Sequence, residues 1–229
     1  MSYPEIDFCF YHLVKCAGSS LRLSLYNKFE NNYKNKIYIP SKYGNINFMK
    51  EHINNIRNTK GYLDLKVILS HYRYNDFNLS INPKFKITFI RDPVKRVISH
   101  YYFFNYPKNK IHFIDLPKND FDLFCKGHGS HMCDWLGLLD NDSINMNKLN
   151  VRLKEFNFIG LVENYDNDII ILNNLINTYF NMTTNLPNVH ANDSKIEIKN
   201  ETELKKLILP FCNNDYILYN EVKKIRKLE

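Results

Sequence analysis

Ile6-Asp-Phe-Cys-Phe-Tyr-His12 alternates in the manner of a strand and runs straight into Leu13-Val-Lys-Cys-Ala-Gly18. The residues that follow, Ser19-Ser-Leu-Arg-Leu-Ser-Leu-Tyr26, read as a helix, because Leu21, Leu25 and Phe29 recur every four positions and share one face. A strand that turns through small residues into a helix opens an α/β fold. The same alternation continues down the chain. Lys36–Ile39 reads as a short strand, Met49, Ile53 and Ile56 mark a helix ending near Gly61, and Leu65–Leu69 is a third strand running into Ser70-His71. Lys86–Ile90 is a fourth strand, and Arg91-Asp92-Pro93 after it gives a helix start with Asp92 as N-cap and Pro93 as first helical residue. That helix carries Val94, Val97, Ile98 and Tyr101 on one face.

Farther on, Asn105 to Lys118 reads as a surface loop, Asp120 as the cap of a short helix, and Phe158–Val162 as a fifth strand. Asp166 to Phe180 is a long apolar helix, and Asn200 with Glu203 starts a C-terminal helix broken at Pro210. No internal repeat or linker appears. The expectation is one domain over residues 1–229, with an α/β, P-loop-like three-layer sandwich. Its central, mostly parallel sheet would have about five strands, with helices on both faces.

Composition bounds the function without choosing it. The 229 residues are 44% hydrophobic and 24% charged, which supplies a core and excludes disorder as the main state. Lys+Arg 31 against Asp+Glu 24 gives +7, which favours anionic partners: nucleic acid, phosphorylated or sulfated small molecules, or an acidic polymer. The N-terminal residues carry Glu5 and Asp7 and no basic segment, and no run approaches a membrane span. As written, the chain reads as soluble and cytoplasmic; a luminal domain cut from its anchor would look the same. Frequent Asn, Lys and Ile indicate nucleotide bias, so triplets such as Asn181-Met-Thr183 say little about glycosylation. Cys125-Lys-Gly-His128-Gly-Ser-His131-Met-Cys133 brings zinc to mind, but its spacing suits a loop with a disulfide or free thiols better.

Ligands of parallel α/β sheets bind at the carboxyl ends of the strands, where helices begin. Three polar sets fall there. Lys15-Cys-Ala-Gly-Ser-Ser20 lets backbone N–H groups approach an anion while Lys15 adds a full charge, although a turn with a solvated Lys is the plain alternative. Arg91 ends the fourth strand, where it can bind a phosphate bidentately, with Ser99 in reach on the next helix. Asp92 and Arg96 are better explained as a helix cap and an Arg paired with a nearby carboxylate. His71 ends the third strand, where it could take a proton from an attacking hydroxyl.

These residues carry a resemblance. Leu-Val-Lys-Cys-Ala-Gly-Ser-Ser-Leu-Arg (13–22) with Thr-Phe-Ile-Arg-Asp-Pro-Val-Lys-Arg-Val-Ile-Ser-His-Tyr (88–101) resembles the signature of carbohydrate sulfotransferases that use 3′-phosphoadenosine 5′-phosphosulfate (PAPS). In motif order it looks most like the heparan sulfate 2-O-sulfotransferase and uronyl 2-O-sulfotransferase group. Ser70–Phe77 resembles that group's catalytic segment, Phe121–Cys133 its disulfide loop, and Ile159-Gly-Leu-Val-Glu163 a further landmark.

The resemblance implies that Lys15 and the amides of Cys16, Ala17, Gly18, Ser19 and Ser20 hold the 5′-phosphosulfate end. Arg91 and Ser99 would hold the 3′-phosphate, and Ser194 and Lys195 would close over the donor. Lys15 and His71 would be catalytic, the product adenosine 3′,5′-bisphosphate (PAP), the acceptor a saccharide hydroxyl, and no metal would be needed. No nucleic acid partner or membrane span is implied. Leu69 stands where the close relatives have a second histidine, Gly18 and Ser19 are nearer the wider family, and the Golgi anchor of animal relatives is missing. Two other readings stay open. A P-loop-like nucleotide kinase would need Mg²⁺ and a Gly-Lys-Ser/Thr motif that is not found. A non-catalytic polyanion binder would use the charge alone; its best basic run, Lys223-Lys224-Ile-Arg226-Lys227, reads as the solvated face of a terminal helix.

Overall fold

The computed structural model describes residues 5–34, 36–39, 64–71, 73–75, 82–105, 121–183, 185–186 and 201–228. Strand β1 (Phe8–Tyr11) leads through a turn to helix α1 (Gly18–Glu30), then come β2 (Ile37–Tyr38), β3 (Val67–Ser70), β4 (Phe85–Ile90) and α2 (Pro93–Asn105). Helices α3 (Phe121–His128) and α4 (His131–Trp135), the hairpin β5 (Leu139–Asp140) and β6 (Ser143–Ile144), and α5 (Met146–Glu155) follow. The chain then forms β7 (Phe158–Leu161), a 3₁₀ turn over Val162–Asn164, α6 (Tyr165–Phe180), α7 (Glu201–Ile208), a 3₁₀ turn over Leu209–Phe211, and α8 (Asn213–Ile225).

Five strands form one parallel sheet in the order β2-β3-β1-β4-β7. Every residue of β1 and β4 is buried, as expected of parallel strands covered on both faces. Phe8 points to one face, where it meets Phe29 of α1 at 4.7 Å and Phe180 of α6 at 6.1 Å. Lys28 of α1 joins these helices by donating from Nζ to Oδ1 of Asn173 and Asn177. Tyr11, of opposite parity, points to the other face, between Tyr74 at 5.2 Å and Phe156 at 5.5 Å. There the Arg152 guanidinium of α5 lies 3.2 Å over the Tyr74 ring. The sheet with helices on both faces is the architecture read from the sequence. A second apolar cluster, Val94, Val97, Ile98, Phe124, Cys125, Ile208 and Cys212, joins α2, α3 and α7.

Most element boundaries fall within a residue or two of those expected. The helix read at Met49–Gly61 and the loop after Asn105 lie outside the described residues, as do Asp120 and Asn200. The β5–β6 hairpin escaped the sequence reading. It turns at Asn141 (φ 47°) and Asp142 (φ 63°), the left-handed pair that a two-residue hairpin needs.

Of the two alternatives left open for Cys125 and Cys133, the structure shows free thiols: all five cysteines are free and buried. Cys125 packs in the second cluster, while Cys133 packs in the main core with its thiol donating to the Asn214 carbonyl at 3.2 Å. The segment between them is a helix, a turn and a second helix rather than a loop. One expectation is corrected: Arg226 is not on a solvated face. It pairs with Asp168 through both Nη atoms, Nη2 to Oδ1 at 2.6 Å, and Nη1 also donates to the Ile159 carbonyl at 3.3 Å.

Candidate functional site

β1 lies between β3 and β4, and the chain leaves its two sides in opposite directions, so the carboxyl ends of these strands meet at the switch point of the sheet. Each end carries one of the three polar sets: Lys15 after β1, His71 after β3 and Arg91 after β4.

The turn after β1 is held in an unusual backbone form. Lys15 (φ 65°) and Ala17 (φ 56°) are both left-handed, which costs a non-glycine residue of order 1 kcal/mol and is tolerated mainly where a function requires it. Alternating handedness turns successive N–H groups toward one concavity, a nest for an anion. Helix α1 begins there at Gly18 with no side-chain cap, so its positive end faces the same concavity. Ser19 and Ser20 lie in its first turn. Cys16 faces the other way. Its thiol sits 3.9 Å from the Met132 sulfur, burial pushes it up to about 12, and its N–H donates to the Leu13 carbonyl at 3.3 Å.

Two cations converge on this turn. Arg91 donates from Nη1 to the Lys15 carbonyl at 3.4 Å, while its buried Nε has no hydrogen-bond partner among the described residues. The Lys15 ammonium lies 4.2 Å over the Phe103 ring of α2. Burial, and then the charge of Arg91, push its pKa down to about 8. Among the described residues no carboxylate pairs with either cation. Ser99 precedes Phe103 by one helical turn and therefore shares its face of α2, half-buried.

His71 donates from Nδ1 to the His12 carbonyl at 2.7 Å; the carbonyl can only accept, so Nδ1 carries the proton and Nε2 the lone pair. Burial pushes its pKa down to about 3, with the His12 carbonyl opposing and Arg22 adding to the fall. The imidazole is therefore neutral at physiological pH. Its ring stacks on that of His12, centroids 3.5 Å apart, and meets Trp135 edge-on at 6.1 Å.

The start of α2 is braced as expected. Asp92 Oδ1 accepts from the Lys95 N–H at 2.9 Å, and Asp92 Oδ2 accepts from the Tyr216 hydroxyl at 3.2 Å. Glu163, after β7, accepts from the Asp92 N–H at 3.0 Å and the Tyr219 hydroxyl at 3.2 Å. Arg96 is fully buried, its Nε 3.7 Å from Asp215, and it donates to the His128 carbonyl. Asp215 also accepts from the N–H groups of Met132 and Cys133.

No protein-family model matches the chain, and no curated protein matches its sequence. Among solved structures, it is similar to the crystal structure of a sulfotransferase from Alicyclobacillus acidocaldarius, 14% identical over 96% of this chain and 97% of that one, with a TM-score of 0.45.

Lys15, Ser19, Ser20, Arg91, Ser99 and His71 thus stand on neighbouring strand ends and the helices that follow them; Ser194 and Lys195 lie outside the described residues. Among those residues, no group of three or more His, Cys, Asp or Glu side chains is arranged to hold a metal. No described helix is long and apolar enough to cross a membrane. Sequence reasoning missed His12, although it is the last residue of the strand segment quoted first. It assigned no role to Arg22, on the second turn of α1, and did not foresee that His128 and His131, weighed there as part of a zinc-like segment, gather with His100, the three rings within 5.9 Å of one another.

Proposed function

We propose that the chain is a sulfotransferase that takes the sulfuryl group of PAPS to a hydroxyl of a carbohydrate acceptor. The observation that carries this reading is the meeting of Lys15 and Arg91 on a left-handed turn beside a neutral imidazole. Two like charges near one turn, with no carboxylate of the described residues paired to either, are unfavourable unless an anion joins them, and a nucleotide with two separate phosphates supplies one for each. The donor residues fit that group: backbone N–H groups and an ammonium for one phosphate, and for the other a hydroxyl and a guanidinium whose Nε has no partner among the described residues.

The donor, when bound, supplies an activated sulfuryl group and a phosphate as leaving group. Lys15 and the turn's N–H groups hold the 5′ end, and Lys15 offsets the charge that builds on the leaving oxygen. Arg91 and Ser99 select for a 3′-phosphate. His71 holds its proton at Nδ1 against the His12 carbonyl and receives the acceptor's hydroxyl proton at Nε2. An anion in the nest raises the basicity of His71 toward the ordinary histidine range, so the base strengthens when the donor is in place.

Calorimetric titration with PAP, adenosine 5′-phosphate and ATP–Mg²⁺ tests the donor site. The expected result is tight binding that requires the 3′-phosphate. In the Arg91→Ala variant PAP affinity falls while that for adenosine 5′-phosphate holds, and His71→Ala abolishes turnover with PAP binding intact. Preference for ATP–Mg²⁺ would instead indicate phosphoryl transfer, and no binding by folded protein would end the enzyme reading.

A further inference from the structure

We propose that His12 is a positioning residue for His71, wedged between the anion-binding turn and the base so that the two are set as one unit. This rests on the reading of His71 as the base. Three observations meet at His12. Its carbonyl accepts the Nδ1–H of His71 at 2.7 Å, which fixes the tautomer and leaves Nε2 as the proton-accepting atom. Its ring covers one face of the His71 ring, centroids 3.5 Å apart and planes within 28°, while its own other neighbour in the stack is Phe10, 5.4 Å away at 12°. The far edge of that ring occupies the space above Gly18: a Cβ there would stand 1.5 Å from both Cδ2 and Nε2 of His12.

The glycine at the first position of α1 is therefore not explained by its own backbone, since no left-handed φ is found there. What Gly18 provides is the room for the His12 ring. The ring is almost wholly buried, 3% exposed. It touches the first residue of α1 on one edge and lies against the base on one face. A shift of the turn when an anion binds is passed through a rigid ring to His71, and rotation of His71 about its hydrogen bond is blocked by the stack. Geometry of this kind decides rates, because a reacting atom misplaced by about 1 Å costs on the order of a hundredfold.

The test uses full-length His12→Ala and His12→Gln, with circular dichroism to confirm that each folds. Three quantities are read: PAP affinity by calorimetry, turnover, and the imidazole ¹⁵N shifts of His71. The expected outcome is PAP affinity within about twofold of wild type, kcat lower by about tenfold to a hundredfold, and Gln less damaging than Ala because it refills part of the space. In wild type the ¹⁵N shifts should show a protonated Nδ1 and a bare Nε2; in His12→Ala both should move toward averaged values as the tautomer is released.

A wild-type spectrum with the proton on Nε2 would overturn the proposal, as would variants whose kcat and ¹⁵N shifts match wild type. Loss of PAP affinity in step with kcat would overturn it too, assigning the ring to the turn alone. Full turnover by His71→Ala would remove the base assignment itself, and is distinguishable because the ¹⁵N shifts report positioning without any turnover.

Discussion

Arg226 and Asp168 on one side of the molecule, and Lys15 and Arg91 on another, show two opposite treatments of buried charge. Asp168 is fully buried and every demand it makes is met: Arg226 from two nitrogens, the Leu161 N–H at 2.6 Å and the Asn164 amide at 2.7 Å. The pair fastens α8 to the end of β7 and to α6. Lys15 and Arg91 are partly buried and of the same sign: the Arg91 guanidinium donates to the Lys15 carbonyl, in a turn whose backbone is left-handed twice, and its charge lowers the pKa of the Lys15 ammonium. One region is complete and rigidifies the fold. The other, on the proposed reading, is completed by an anion, and an incomplete electrostatic arrangement held by a rigid frame is what a binding site requires.

The contrast can be broken most forcefully at the complete pair. Asp168→Ala leaves the partly buried Arg226, the Leu161 N–H and the Asn164 amide without their acceptor and should cost about 2–4 kcal/mol in urea unfolding, with PAP affinity of the remaining folded protein unchanged. Lys15→Ala should do the reverse: PAP affinity falls by roughly 100-fold, while stability stays level or rises by up to about 1 kcal/mol as a desolvated charge is removed. Equal stability losses in the two variants would erase the distinction.

Acid sharpens it next. His12, His71, His100, His128 and His131 are all held below the ordinary histidine range by burial, so below pH 6.5 the unfolded chain binds protons that the folded chain refuses. Stability therefore falls as pH drops through 6.5, each such site steepening the loss by about 1.4 kcal/mol per pH unit. Asp215, pushed up by burial, works against this in the acidic range. Stopped-flow or equilibrium unfolding between pH 7 and 4.5 should show net uptake of several protons; uptake below one would contradict the burial of the cluster. The smallest effect lies at the site itself. With Lys15 near 8 when empty, an anion draws its pKa back up, so PAP binding at pH 8.5 should take up a fraction of a proton, seen as a dependence of calorimetric heat on buffer ionisation enthalpy. Lys15→Ala should abolish that dependence.

What the sequence disclosed, it disclosed through local rules. The spacing of Leu21, Leu25 and Phe29 set α1, and all three are fully buried. Asp92-Pro93 set the start of α2, and the strand ends before Lys15, His71 and Arg91 could be placed, because position after a parallel strand is readable without knowing the partner. The misreadings share a cause. Arg226 looked solvated because Asp168 is 58 residues away, and His12 looked like the tail of a strand because the ring it supports is 59 residues away. Whether Cys125 and Cys133 pair stayed open for the same reason: two helices carry them into different cores. Pairings made by tertiary packing leave no period in the chain to be read.

The five buried thiols have a practical consequence. Burial pushes every one of them upward, so none offers a thiolate to reagents while the chain is folded. They are distributed over β1, the turn before α1, α3, α4 and the residue before α8, so they report on five separate parts of the molecule. Alkylation followed by peptide mass analysis then becomes a clock with five hands: the order in which the sulfurs are captured is the order in which the parts of the protein open, with no label added and no residue changed.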